Sequence, residues 1–535
     1  MASGILTTLL LFCAVLLVIE GGKIRHKEDS EENEDACQRY MDVAIVGAGP
    51  AGTYSAYRLR EQNLRVEVFE YSNRVGGRLY TSRLPDAPDV PVELGGMRFI
   101  PQVHTRVMHL VQELGLTSRL FSLNYENTAD SRFFLRGKSF LPQELAEGDI
   151  PYKLSAEEKA NQGRIFRYYL EKLTGYNGTD VDEIMLLQLK VKDGRYLYAV
   201  PIDEALGMVA TEEGRQFMLA LDQFESDFAS DTSLSFIENN IGPYSGDYPV
   251  VTVTEGMSAI PKGLLRAFLD ASSRHQVTLN RKLLSIVRND AVGYRLVFQK
   301  TQTQDGVTTL LDSFDVVCAK KIILALPRLA LSQIEWNPLR DDRVNEAINA
   351  VRDVKVVKVF LTFPTRWWMD SSTYPARVTY SDLSFSQFYD WGRSNVTGHY
   401  IMLASYADET RAKLLASLNA KGNLASGSVG GPHRVTKGLV DSLLDDIAKA
   451  YGTDRRYIPE PISAMAQFWG SYPFGGGWVV WKAGYRYDDV ISTVQRPSLT
   501  DQIFCVGADH SRGYHVGWSE GAYETVDRVM DMYFL

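Results

Sequence analysis

The sequence predicts an α/β fold, and three observations predict it. An apolar strand-like run, Asp42 to Val46, leads directly into Gly47-Ala-Gly49-Pro-Ala51-Gly52 and a helix-like stretch to Gln62. A second short strand, Arg65 to Phe69, then ends on Glu70. Buried-strand patterns with a proline stop recur far downstream, at Lys321 to Pro327. Together these describe a Rossmann-like dinucleotide-binding domain that is discontinuous in sequence, joined by a mixed-sheet substrate domain and an inserted helical region.

Each part of the first unit has its own physical job. Gly47 allows the tight turn, Gly49 lets backbone approach a pyrophosphate, and Gly52 lets the helix pack close to the strand. Ala51 lies in the first helical turn, whose unpaired N–H groups face the phosphates. Glu70 can accept a hydrogen bond from a ribose hydroxyl and would repel a phosphorylated ribose, so FAD or NAD fits better than NADP.

The segment Arg74-Val-Gly76-Gly77-Arg78, with Thr81 beyond it, decides between the two. A glycine pair between arginines brings backbone to the cofactor, and Arg78 offers fixed positive charge to a pyrophosphate or a reduced flavin. The pattern resembles the second dinucleotide motif of the flavin-containing amine oxidase family. Glu93-Leu-Gly95-Gly96-Met97-Arg98 is similar to the strand end that passes the flavin ring. Gly507-Ala-Asp509 and Gly517-Trp518-Ser519-Glu-Gly-Ala522 resemble the C-terminal flavin motif. The resemblance runs from about Asp42 to the C-terminus. Phe69 to Ser72, Gly95 to Phe99, Trp478 and Val506 to Asp509 narrow it to L-amino-acid oxidases of the secreted gastropod type, the aplysianin, escapin and achacin group.

That resemblance implies FAD as cofactor, a free L-amino acid and oxygen as small-molecule partners, and release of hydrogen peroxide. It assigns Arg98 to the substrate carboxylate, where a guanidinium offers a planar bidentate fork, and Tyr389 to the same carboxylate as a hydroxyl donor. Lys358 takes the place of the lysine that holds a water at the flavin. Lys355 is its near neighbour in sequence. Trp478 and Trp518 are aromatic walls that exclude water. Leu283 matches the position whose backbone meets the adenine, and Asp509 the one near the phosphate–ribityl portion. The gastropod relatives favour lysine and arginine, so an acid is expected in the pocket, with Asp222, Glu225 and Asp227 as candidates. Two other readings stay open: an amine or polyamine oxidase of the same fold, and a catalytically idle secreted flavoprotein.

Composition is that of a globular protein, and 535 residues exceed one simple core. A net charge of −9 supplies no basic field for nucleic acid. The apolar run Ile5 to Ile19 is too short to span a membrane and suits a signal-peptide core, so residues 1–21 are expected to be a leader and the protein secreted, with no membrane partner. A flexible acidic N-terminus occupies 22–41. The FAD-binding domain is expected at 42–80, 246–330 and 491–535, the substrate domain at 81–136 and 331–490, and the helical region at 137–245. A homodimer is left open.

Within the helical region, Ser155-Ala-Glu-Glu158 is a capping box that opens a helix toward Leu173. The Gly/Ser-rich stretch from Asn419 to His433 suggests a mobile loop. Of four cysteines, Cys13 falls in the leader; Cys37, Cys318 and Cys505 remain, so at least one is free or pairs between chains. Cys318 and Cys505 sit in apolar strands, where buried thiols are the default. Asn177 and Asn395 begin glycosylation sequons. The eight histidines include no pair at metal-ligand spacing, and no metal site is expected.

Overall fold

The computed structural model describes residues 37–121, 130–178, 182–232, 237, 240–241 and 248–535. The leader, most of the acidic N-terminal stretch, and Thr179 of the first sequon lie outside them.

The strand Arg39–Val46 lies inside a seven-stranded sheet. It pairs in parallel with Val66–Phe69 on one side and with the end of Val307–Leu324 on the other. His275–Thr278 extends the parallel layer beyond Val66–Phe69, and Ile503–Cys505 extends it beyond Ile322–Leu324. The antiparallel strands Arg281–Asn289 and Gly293–Gln304 complete the sheet. The two-residue period of a strand divides this layer cleanly. Val43 and Ile45 pack under the helices Pro50–Arg58, Ala259–Ala271 and Ser519–Tyr533, whereas Ala44, Ile322 and Leu324 face the helices Asp342–Ile348 and Tyr487–Gln495. Both faces are therefore covered, as a parallel sheet requires.

A second seven-stranded sheet runs in the order Ala464–Trp469, Val356–Phe363, Tyr400–Asp408, Gln387–Arg393, Val378–Ser381, Ser131–Leu135 and Lys138–Phe140. Every residue of Val356–Phe363 is buried. Its odd positions, Val357, Val359, Leu361 and Phe363, pack beneath the helix Lys437–Tyr451. The alternation places Val356, Lys358 and Phe360 on the opposite face.

Two local expectations are corrected. The capping box forms, with Glu158 N donating to Ser155 Oγ at 3.3 Å and Ser155 N to Glu158 Oε2 at 2.8 Å. The helix, however, stops at Ala160, passes through a 3₁₀ turn at Gln162–Arg164, and resumes at Ile165–Thr174. Gln162 is drawn down by its Nε2, which donates to Leu145 O at 2.7 Å, and Gly163 lies against Ala146. The Gly/Ser-rich stretch is docked rather than loose. Ser428 Oγ accepts from Val435 N at 2.8 Å, and His433 Nε2 lies 2.8 Å from the Tyr80 hydroxyl.

The cysteine reading is also corrected. Cys318 is not a free thiol but forms a disulfide with Cys37. The parallel register pairs Tyr40 with Cys318, which brings Cys37, just upstream, alongside it. That contact spans 281 residues of sequence and depends on strand order, which spacing alone does not reveal. Cys505 is the free, buried thiol expected.

Candidate active site

A cavity of about 610 Å³ runs between the two sheets, within the range of small-molecule and cofactor sites. Its walls bring together residues from each of the dinucleotide and flavin motifs quoted above.

At one end lies the cradle. Gly47 has φ +104°, and a Cβ there would stand 2.3 Å from Ala325 O. A Cβ on Gly52 would stand 1.8 Å from Gly47 O, so Gly52 supports the loop from behind and is not part of the cavity wall. Gly49 and Ala51 line the wall at the start of the helix Pro50–Arg58. Glu70 also lines it, with Oε2 accepting from Ala48 N at 2.9 Å and Oε1 from Ser72 N at 3.1 Å. The acid thus ties the glycine loop to the end of its strand.

Arg78 forms an ion pair with Asp509. Arg74 lies over the Tyr80 ring, its Cζ 3.9 Å from the centroid, and its Nη2 donates to Gly77 O at 2.9 Å. Both guanidinium groups keep a buried Nη1 with no partner among the described residues. Two orphaned cationic N–H groups beside a glycine cradle and a helix N-terminus are what a pyrophosphate would satisfy. The residues present therefore fit a dinucleotide. Leu283 lines the wall farther along. Gly517, Trp518, Ser519 and Ala522 line it where the helix Ser519–Tyr533 begins.

Asp509 does not reach the wall. It is buried, Oδ2 accepting from Arg328 N at 2.9 Å while Oδ1 holds Arg78. The Arg78 guanidinium, with the other hydrogen bonds, outweighs burial and keeps the Asp509 carboxyl below its usual range.

At the other end, Gly95, Gly96, Met97 and Arg98 border the cavity in sequence. The Arg98 guanidinium lies 5.6 Å from the Phe121 ring centroid. Burial works against its charge, but the neighbouring Tyr389, Tyr380 and Tyr406 outweigh that and its pKa lies above the usual arginine value. Among the described residues no carboxylate pairs with it. Tyr389 is not on the wall. It is fully buried behind Arg98, and its hydroxyl donates to Gln387 Oε1 at 2.7 Å. Tyr380, Gln387 and Tyr406 occupy the wall in its place.

Lys358 projects to the same end, its Nζ donating to Gly95 O at 2.6 Å and to Glu93 O at 3.2 Å. Burial pushes its amine down to about 7, against the pull of Glu93. Lys355, its sequence neighbour, points elsewhere, to Gly470 O and Gly475 O. Trp478 closes one side, edge-on to Phe224 at 5.4 Å and to Tyr406 at 6.2 Å. Trp518 closes another, 4.7 Å from the His104 ring.

Of the three acids considered, Asp222 and Asp227 line the cavity and Glu225 turns away to Thr410 N at 2.7 Å. Asp222 is held by Phe224 N at 3.1 Å and by Asn240. Burial, and then the nearby Asp227, push its carboxyl well above the usual range. Sequence reasoning missed Tyr406, Phe224 and Glu93. Tyr406 lies directly opposite Lys358 across two antiparallel strands, a relation that needs the register to be known. Glu93 stood in a motif already quoted, and an acid in an otherwise apolar strand end was an available signal.

The model of the family described as flavin containing amine oxidoreductase matches residues 50–529. The chain belongs to that family; it is an oxidoreductase whose cofactor is FAD. Within the family it is similar to two gastropod proteins. Achacin of Lissachatina fulica is 46% identical over 500 residues, covering 93% of this chain and 94% of that one. Aplysianin-A of Aplysia kurodai is 44% identical over 522 residues, covering 96% and 94%. The L-amino-acid oxidase of Bungarus fasciatus is 23% identical over 493 residues, covering 90% and 84%. Among solved structures, wild-type putrescine oxidase bound to putrescine shares the fold, with a TM-score of 0.64, 18% identity, and 92% and 98% coverage. Among the described residues, no helix is long and apolar enough to cross a membrane.

Proposed function

We propose that this protein is a secreted L-amino-acid oxidase with a preference for basic side chains. The observation that carries this reading is Arg98, a charged guanidinium at the cavity wall with tyrosines around it and, among the described residues, no acid paired to it. A buried cation without a counter-ion is costly, and a substrate carboxylate would relieve that cost through two parallel hydrogen bonds. Amines without a carboxylate would leave the cost in place, which weighs against an amine or polyamine oxidase.

Bound FAD would accept a hydride from the amino acid Cα and return the electron pair to oxygen as hydrogen peroxide. Around that chemistry, each side chain has a distinct task. Arg98 orients the carboxylate, and fixed orientation can supply several kcal/mol of the barrier reduction. Trp478 and Trp518 narrow the slot and keep bulk water out. Lys358, with two of its N–H bonds taken by carbonyls, would hold one water molecule, which would assist reoxidation or convert the imino acid to a 2-oxo acid and ammonium. Asp222 and Asp227 would face the distal cation of lysine or arginine, and binding that cation would favour their ionised form. Peroxide released outside the cell would be toxic to microbes.

Peroxide production from L-lysine, L-arginine, L-leucine and cadaverine tests the reading. Oxidation of the amino acids, fastest for the basic ones, is expected. Oxidation of cadaverine with none of any amino acid would overturn it. Growth inhibition of bacteria should disappear when catalase is added.

A further inference from the structure

Lys358 and Glu93 are both almost fully buried, at 3% and 2% exposure, and they share one piece of backbone. The lysine Nζ donates to the carbonyl of Glu93 itself and to that of Gly95. Those two acceptors satisfy two N–H bonds whether the amine is charged or neutral. The neutral form would then keep a lone pair free, and the charged form a third N–H, so the carbonyls do not decide the charge. Something else must.

The groups facing Lys358 can be named. Arg98, on the strand-end segment that carries Gly95, opposes the ammonium charge. The Tyr406 ring, on the neighbouring strand, lies 4.7 Å from Nζ, where its π face favours the cation. On the other neighbouring strand the partner is Gln467, which carries no charge. Glu93 provides the carboxylate that supports the lysine charge.

The Glu93 carboxylate is held rigidly. Oε1 accepts from Met257 N at 2.9 Å, and Thr81 Oγ1 lies 3.1 and 2.9 Å from the two oxygens. Thr81 Oγ1 is itself fixed by Ser258 N at 3.0 Å. Burial raises this carboxyl to about 7, against the influence of Met257 N, Thr81, Lys358 and Arg119. Glu93 and Lys358 are thus two buried titratable groups joined through one stretch of backbone, with the carboxylate pinned in place.

We infer that Glu93 is a positioning residue that sets the pH at which Lys358 loses its proton, in addition to joining the three segments it bonds. The inference rests on the role proposed for Lys358 in the oxidation.

The test is the pH profile of kcat for L-lysine oxidation by the FAD-loaded protein. Lys358→Met should erase the inflection that belongs to the lysine. Glu93→Gln keeps the shape and an acceptor for Met257 N but removes the charge. It should move that inflection to lower pH by about one unit, the size expected for losing a nearby opposite charge. Thr81→Val weakens ionisation of Glu93 and should move it the same way by less. In the double variant Glu93→Gln/Lys358→Met, the profile should match Lys358→Met alone.

An inflection unmoved in Glu93→Gln, but absent in Lys358→Met, would overturn the inference and leave the lysine assignment standing. An inflection retained in Lys358→Met but lost in the double variant would belong to Glu93 itself and overturn the inference; one retained in both would overturn the lysine assignment as well. Should Glu93→Gln fail to hold FAD, Thr81→Val carries the test, and an unshifted profile there overturns the inference.

Discussion

Gly49 and Gly77 meet back to back across the cofactor cradle: a Cβ placed on Gly77 would stand 3.1 Å from the Gly49 Cα. The two glycine motifs, separate in sequence, thus form one surface. Gly77 also has φ +54°, where a side chain is disfavoured. A β-branched residue would be strained there and would push the phosphate loop away. Gly77→Val is expected to purify without yellow flavin absorbance while its circular dichroism stays that of the parent. A fully flavinated variant would show that the two loops do not need this contact.

Arg98→Lys keeps a positive charge but loses the fork. A lysine cannot make both parallel bonds to a carboxylate. The expected cost is about 2 kcal/mol, roughly a thirtyfold rise in KM for L-lysine, with a smaller change in kcat. Flavin content should be unaffected. Steady-state peroxide kinetics measure this directly, and an unchanged KM would remove Arg98 from the carboxylate site.

Asp222→Asn should alter selectivity more than rate. The acid lines the cavity beside Asp227, and its neutral replacement cannot balance an ammonium or guanidinium. The ratio of kcat/KM for L-lysine to that for L-leucine is expected to fall about tenfold, or 1.4 kcal/mol. A constant ratio across the two substrates would place side-chain recognition elsewhere.

His104 predicts a specific acid sensitivity. Its Nδ1 accepts from Ile100 N at 2.9 Å, and burial, followed by the neighbouring His515, pushes its pKa from 6.5 to about 3. The native state therefore stays unprotonated where the unfolded chain binds a proton, so stability falls as pH drops below about 6.5 and continues to fall toward 3. The loss should be on the order of a few kcal/mol. His104→Asn keeps an acceptor for Ile100 N without a titrating group. Denaturant melts at successive pH values should show a flatter acid limb for it than for the parent.

The Cys37–Cys318 bond closes a loop of 281 residues. Cross-links over long loops stabilise by restricting the unfolded chain, typically by about 2–5 kcal/mol. Replacing both cysteines by serine should lower the melting temperature by several degrees, read by calorimetry, without changing flavin content. An unchanged melting temperature would mean that the chain near Cys37 is already held by the strand pairing Tyr40↔Cys318.

Much of the cradle was legible because its requirements are local. Gly47, Gly49 and Gly52 answer to one turn, and Glu70 follows at a distance set by one helix and one strand. The break at Asn161–Arg164 was not legible, because a capping box marks where a helix starts and says little about where tertiary contacts end it. Gln162 leaves the helix for the carbonyl of Leu145, and no pattern within the segment announces that partner.

The sequence by itself determined the nucleotide loop, the family and the set of side chains able to bind an acid and an anion, since each depends on residue type at short spacing. Only the tertiary structure decided which of them meet. It put Tyr406 opposite Lys358, drew Asp509 behind Arg78, withdrew Tyr389 behind Arg98, and joined Cys37 to Cys318. Strand order and register are settled by packing over hundreds of residues, and a register shift of one residue would turn the strand residues Lys358, Tyr389 and Tyr406 to the other face.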